Sequence, residues 1–116
     1  DTLLSEQIGN FLEDNDRFGY QAPKLSNMNN LFQEIQKKFV YPRKLSGFSS
    51  AGKTYVQFNI SESGDIENVL IRKRNIIDLD KESVRVLRNI KFLEPPKLNG
   101  KPINVCVTLP IVYGAN

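Results

Sequence analysis

Residues 99–113 read NGKPINVCVTLPIVY, and the fold turns on how that stretch is read. From Ile103 onward the side chains alternate: Ile103, Val105, Val107, Leu109, Ile111 and Tyr113 on one face, Asn104, Cys106 and Thr108 on the other. A period of two is the mark of a strand with one face in a core. Asn99-Gly100 just upstream forms the turn into it, since these two residue types accept the positive φ of tight hairpin turns. Pro110 has no N–H to donate, which places the strand at a sheet edge or at a bulge. The last strand is therefore expected to be an edge.

Working back from it, Glu94-Pro95-Pro96 ends a helix that Asp80 is expected to cap. That helix runs to about Ile90 and buries Val84, Leu87 and either Ile90 or Lys91. Before it lies a hairpin. Residues 53–61 alternate with Val56, Phe58 and Ile60 on one face, residues 62–65 (ESGD) form the turn, and a second strand follows from Ile66 to about Arg74. Val69 and Ile71 share a face, but Ile66 is out of phase with them, which predicts a bulge near Glu67-Asn68. Residues 46–52 (SGFSSAG) read as loop. Met28, Leu31, Phe32, Ile35 and Phe39 mark one face of an earlier helix, with Ser26 or Asn27 as its N-cap, and Tyr41-Pro42 stops it. Leu4, Ile8, Phe11 and Leu12 recur at helical spacing and predict a further short helix over residues 2–13.

The chain is thus expected to be α+β: a three-stranded antiparallel sheet with helices packed on one face, plus an extra N-terminal helix. Residues 1–25 read as an N-terminal helix-and-loop extension and residues 26–116 as the domain proper. Among 116 residues, 16 Lys+Arg against 13 Asp+Glu leave a net charge of +3, too small without a clustered face to argue for nucleic acid. Histidine is absent and Cys106 is the single cysteine. That excludes Ser-His and Cys-His catalysis and the usual zinc ligand sets, so no enzyme, metal or cofactor is expected. No apolar run is long enough to span a bilayer.

Local clusters have ordinary explanations. Arg72-Lys73-Arg74 reads as a solvated strand end, and Asp78, Asp80 and Glu82 as helix capping and dipole compensation. Cys106 reads as an inert thiol or one packed under a neighbouring element.

Taken in order, Tyr41-Pro42, Gly52 before a strand, Ser63-Gly64-Asp65, Leu79-Asp80, and Asn99-Gly100-Lys101-Pro102 before a strand closing on Leu109-Pro110-Ile111 resemble the TonB C-terminal domain, in the form common in Bacteroidetes-type bacteria. The resemblance covers roughly residues 23–113. It departs from the family pattern at Leu25-Ser26-Asn27, Lys38, Leu45, Ser49 and Leu93.

The resemblance implies a non-enzymatic periplasmic protein-binding module, anchored or secreted through an upstream segment. Such a module captures an extended peptide of an outer-membrane transporter by adding it to its last strand. It implies a partner-binding edge at Val105, Cys106, Val107, Thr108, Leu109, Ile111 and Val112, with Lys37, Lys38, Phe39 and Val40 close to the bound peptide. The same edge could pair with a second copy as a strand-exchanged homodimer. The alternative expectation is a free-standing exported domain with a structural or self-associating role and no part in energy transduction.

Overall fold

A computed structural model describes residues 2–4, 12, 19–26, 30–40, 52–73 and 76–113. Its centre is an antiparallel hairpin of β3 (Gly52–Ile60) and β4 (Ile66–Lys73). The hairpin turn is closed by backbone bonds from Ser61 N to Asp65 O (2.8 Å) and from Gly64 N to Ser61 O (2.9 Å). Gly64 has φ +84°, and a Cβ there would stand 2.6 Å from the Phe92 carbonyl oxygen, so both conformation and space require glycine. Opposite Gln57 and Asn59, strand β4 carries one residue too many between Glu67 and Leu70, and Asn68 has φ +56°. This is the bulge expected from the phase of Ile66. It lets Ile66, Val69 and Ile71 all pack against the core.

The last strand, β7 (Asn104–Tyr113), lies antiparallel along the other side of β3. The ladder runs without a register shift from Ile60 opposite Val105 to Gly52 opposite Tyr113. Val56, Phe58 and Ile60 on β3, and Val105, Val107, Leu109 and Ile111 on β7, are buried on one face. Burying each such side chain contributes about 1.5–3 kcal/mol. The helices supply the other wall of that core.

Helix α1 (Leu31–Lys38) contributes Leu31 and Ile35, and α2 (Ile77–Arg88) contributes Leu79, Val86 and Leu87. The cap of α1 is Asn30 rather than Ser26 or Asn27. Its side chain accepts from Gln33 N at 2.8 Å, while Gln33 Oε1 accepts from Asn30 N at 3.0 Å, a reciprocal capping box. Phe32, expected on the apolar face, is exposed. Asp80 is not the cap of α2, which starts earlier, after Ile76, with no side-chain cap. Asp80 is buried one turn in, where its Oδ1 accepts from Thr54 Oγ1 at 2.7 Å and ties the helix to β3. Val84 is half-buried and Lys91 exposed, while Leu87 and Ile90 are buried.

Asn99-Gly100 does form the expected turn, with φ +51° and +84°, the pair that a type I′ hairpin needs. It joins two-residue strands, β5 (Lys97–Leu98) and β6 (Lys101–Pro102), in a small sheet with β2 (Tyr20–Gln21), ordered β2-β5-β6. Tyr20, Ala22 and Leu25 enter the same core as the helices.

Two expectations for the large sheet are corrected together. Thr2–Leu4 is not helical; it forms strand β1, parallel to β7, with Thr2 opposite Asn104, Leu3 opposite Val105 and Leu4 opposite Cys106. The large sheet therefore has four strands, in the order β1-β7-β3-β4, and β7 is an edge only beyond Cys106 among the described residues. The physical reason is that a helix this short is marginal without packing, whereas an open strand rim satisfies backbone groups at once. Most of the remaining residues of the expected helix, and the loop at 46–51, lie outside the described residues.

Candidate functional site

The candidate docking edge is the outer rim of β7. Its side chains divide as the alternation predicts. Val105, Val107, Leu109 and Ile111 belong to the core, while Thr108 and Pro110 are half-buried on the opposite face. Cys106, on that opposite face, is buried at 8% exposure. Asn104 Oδ1 accepts from Asn59 Nδ2 at 3.0 Å, which ties β7 to β3 at its start. Val112 lies opposite Lys53 in the ladder.

The backbone decides which amides a partner could reach. Pro110 lies opposite Tyr55 inside an unbroken ladder, so its nitrogen must face away from β3; facing inward, it would leave a gap in the pairing. Strand backbone groups alternate in direction, so Asn104, Cys106, Thr108 and Val112 share that outward direction with Pro110. Asn104 and Cys106 are covered by β1. Thr108 and the residues after it have no strand on that side among the described residues.

The second candidate stretch closes α1. Lys37 and Lys38 are exposed at the end of α1, Phe39 is half-buried against the core and Val40 is 66% exposed. Lys38 Nζ stands 3.3 Å from Glu34 Oε2 and 3.5 Å from the Asn89 carbonyl oxygen. Beside it, Arg85 grips Glu82 with both Nε (2.6 Å to Oε1) and Nη2 (2.7 Å to Oε2). Arg85 Nη2 also donates to the Lys38 carbonyl at 3.0 Å, and the Val40 N–H donates to Glu82 Oε2 at 2.6 Å. The Arg85 hydrogen bond, helped by the Val40 N–H, holds the Glu82 carboxyl below its ordinary range against the opposing effect of burial.

This clamp fastens residues 38–40 to α2, which packs on β4 and β3. The hydrogen bonds and ion pair of Lys38 and Val40 described above go to Glu34, Glu82, Arg85 and Asn89, on α1 and at α2. The clamp was not anticipated from the sequence, although the i, i+3 spacing of Glu82 and Arg85 on a helix carried a signal for it. β1 had no such signal.

A separate open groove of about 510 Å³ lies between α2 and β4, floored by Ile71, Ile77 and Val84 and rimmed by Lys81, Arg85 and Arg88. Nearby, Arg72 and Lys73 are exposed, and Lys73 Nζ sits 5.9 Å from the centre of the Tyr55 ring. Among the described residues, no group of three or more His, Cys, Asp or Glu side chains is placed to hold a metal ion. No helix among them is long and apolar enough to cross a membrane.

The family model for the Gram-negative bacterial TonB protein C-terminal matches residues 37–114. Among solved structures, the solution structure of the Helicobacter pylori TonB C-terminal domain is similar over 97% of this chain and 98% of that one. Its TM-score is 0.60 at 20% sequence identity, a likeness of fold. No curated protein sequence matches the chain. The family match takes in Lys37 to Val40, the Glu82–Arg85 clamp and the whole of β7, and leaves β1 outside. With an α+β fold of that kind and two thirds of its length matched, the chain belongs to the family of Gram-negative bacterial TonB protein C-terminal domains, periplasmic modules that work through protein contacts and not catalysis.

Proposed function

We propose that the chain captures an extended peptide of an outer-membrane transporter by strand addition to the outer rim of β7. The observation that carries this reading is the rim itself: in unbroken register with β3, and without a strand over residues 107–113 among the described residues. Main-chain bonds attract any extended segment to such a rim, and the side chains beside it select which one. Val107, Thr108, Leu109, Ile111 and Val112 form the stretch open to the peptide. Val105 and Cys106 join it when β1 is away. Lys37, Lys38, Phe39 and Val40 offer a second, separate contact through the exposed Val40 side chain and two lysines.

The expected affinity is modest. Each main-chain bond contributes about 0.5–1.5 kcal/mol net. Association costs at least about 4 kcal/mol in lost freedom. A peptide added over four or five bonds therefore binds weakly unless its side chains contribute.

The test is a titration of the labelled protein with synthetic peptides from the N-terminal segments of outer-membrane transporters, followed by amide shifts. The largest shifts are expected at Thr108 and its neighbours on β7. Shifts confined to Ile71, Ile77 and Val84 in the α2–β4 groove would replace strand addition with groove binding. No shift at about 1 mM peptide, a free energy of about −4 kcal/mol, would remove the reading. Sedimentation of the protein alone separates it from the strand-exchanged dimer.

A further inference from the structure

We infer that Thr2–Leu4 is a built-in competitor for the docking rim, covering its best section until a peptide displaces it. The inference rests on the reading of β7 as a docking edge and concerns how that edge is regulated. β1 lies on Asn104, Val105 and Cys106 of β7, parallel to it. The outward direction fixed by Pro110 makes this section unlike the rest of the rim. Asn104, Cys106 and Thr108 give three successive outward residues that each carry an N–H and a C=O. The next one, Pro110, carries only a C=O.

An incoming strand that needs an uninterrupted run of donors therefore seeks residues 104–108, and β1 occupies two of the three outward positions there. A peptide confined to residues 107–113 meets the gap at Pro110 instead. The occupant also describes the kind of partner that fits. Thr2, Leu3 and Leu4 are uncharged, free of proline, and suited to an extended backbone. The rim is thus matched to an uncharged, extended segment with apolar or β-branched residues.

The ladder described over Thr2–Leu4 supplies few bonds, and those bonds barely outweigh the entropy lost in ordering the segment. The strap is consequently poised near balance, and a longer peptide that pairs along the same rim removes it. Leu3 sits opposite Val105, so its own backbone groups face the Asn104 carbonyl and the Cys106 amide. Substituting proline there strikes the pairing without touching β7.

The test compares the intact chain with Leu3→Pro and with a chain lacking residues 1–4. Amide hydrogen exchange reads the strap, and a synthetic hexapeptide of residues 1–6 serves as the probe. In both variants the Cys106 amide is expected to exchange about tenfold faster than in the intact chain, with the Val107 amide, which faces β3, unchanged. The hexapeptide is expected to bind both variants at least about fivefold more tightly than the intact chain and to restore Cys106 protection. Unaltered Cys106 exchange overturns the strap. Equal hexapeptide affinity for all three proteins overturns the competition. If the hexapeptide behaves as expected while transporter peptides bind none of the three, the strap stands and the choice of transporter as partner falls.

Discussion

The two rims of the large sheet, β4 on one side and β7 beyond Cys106 on the other, have opposite designs. β4 departs from its ladder twice: one residue too many lies between Glu67 and Leu70, and another between Ile71 and Lys73. Its outer positions include the charged Glu67, Arg72 and Lys73, all exposed. Bulges bend a strand and break the row of amides, and charge deters a second chain, so β4 is protected against pairing. β7 keeps step with β3 from Val105 to Tyr113 and carries no charged residue. Among the described residues it is interrupted by Pro110 and accompanied by β1 over Asn104, Val105 and Cys106. One edge is distorted in its own backbone; the other keeps register with β3 and has β1 along its start.

The largest effect expected from this contrast concerns burial. Leu109→Ala on β7 removes a fully buried side chain and should cost about 2–5 kcal/mol in urea unfolding. Leu70→Ala on β4, where the side chain is 51% exposed, should stay within about 0.5 kcal/mol. Comparable losses at both positions would break the comparison.

Gly64→Ala comes next, at about 1–3 kcal/mol, because it forces a positive φ and pushes Cβ against the Phe92 carbonyl. The loss should appear in the thermal midpoint, and the amide shifts should move at Phe92 as well as in the turn.

Thr108→Pro sharpens the contrast most directly. If the Thr108 N–H faces outward, its removal costs less than about 1 kcal/mol of stability but weakens peptide binding about tenfold. Val107→Pro, on the inward set, should instead unfold the protein at a lower urea concentration by a clear margin. Similar behaviour of the two variants would refute the assignment of the rim.

The smallest effect concerns the clamp that holds residues 38–40 on α2. Glu82 has its pKa depressed in the folded state, so the stability it adds is present above the unfolded value, about 4.3, and is lost as the pH falls through the folded value. Acidification below about pH 4 should shift the Val40 amide first, with β7 unaffected. Glu82→Gln should abolish that pH dependence.

Much of this molecule was legible in its residues because the relevant forces are local. The alternation in β3 and β7, the phase slip at Ile66 that announced a bulge, and the Asn99-Gly100 turn all follow from side-chain periodicity and backbone sterics. The proline argument made β7 an edge, which holds only beyond Cys106 among the described residues, because β1 lies along its start. Helix starts were less legible. Asp80 has the chemistry of a cap, but burial beside Thr54 gave its carboxylate a better partner inside the fold. Asn30, overlooked as a cap, had the reciprocal Gln33 to recommend it. The candidate site was legible as a strand and illegible as an environment: no pattern links Val40 to Glu82, 42 residues away in the chain.

By itself, then, the order of apolar and turn-forming residues determined an α+β domain and its antiparallel β3–β4–β7 core, since each depends on neighbours along the chain. Only the tertiary structure decided that Thr2–Leu4 forsakes its helical spacing to lie on Asn104, Val105 and Cys106. Backbone amides carry no record in the sequence of which distant segment will satisfy them. That choice is made when the rim and the segment meet in space.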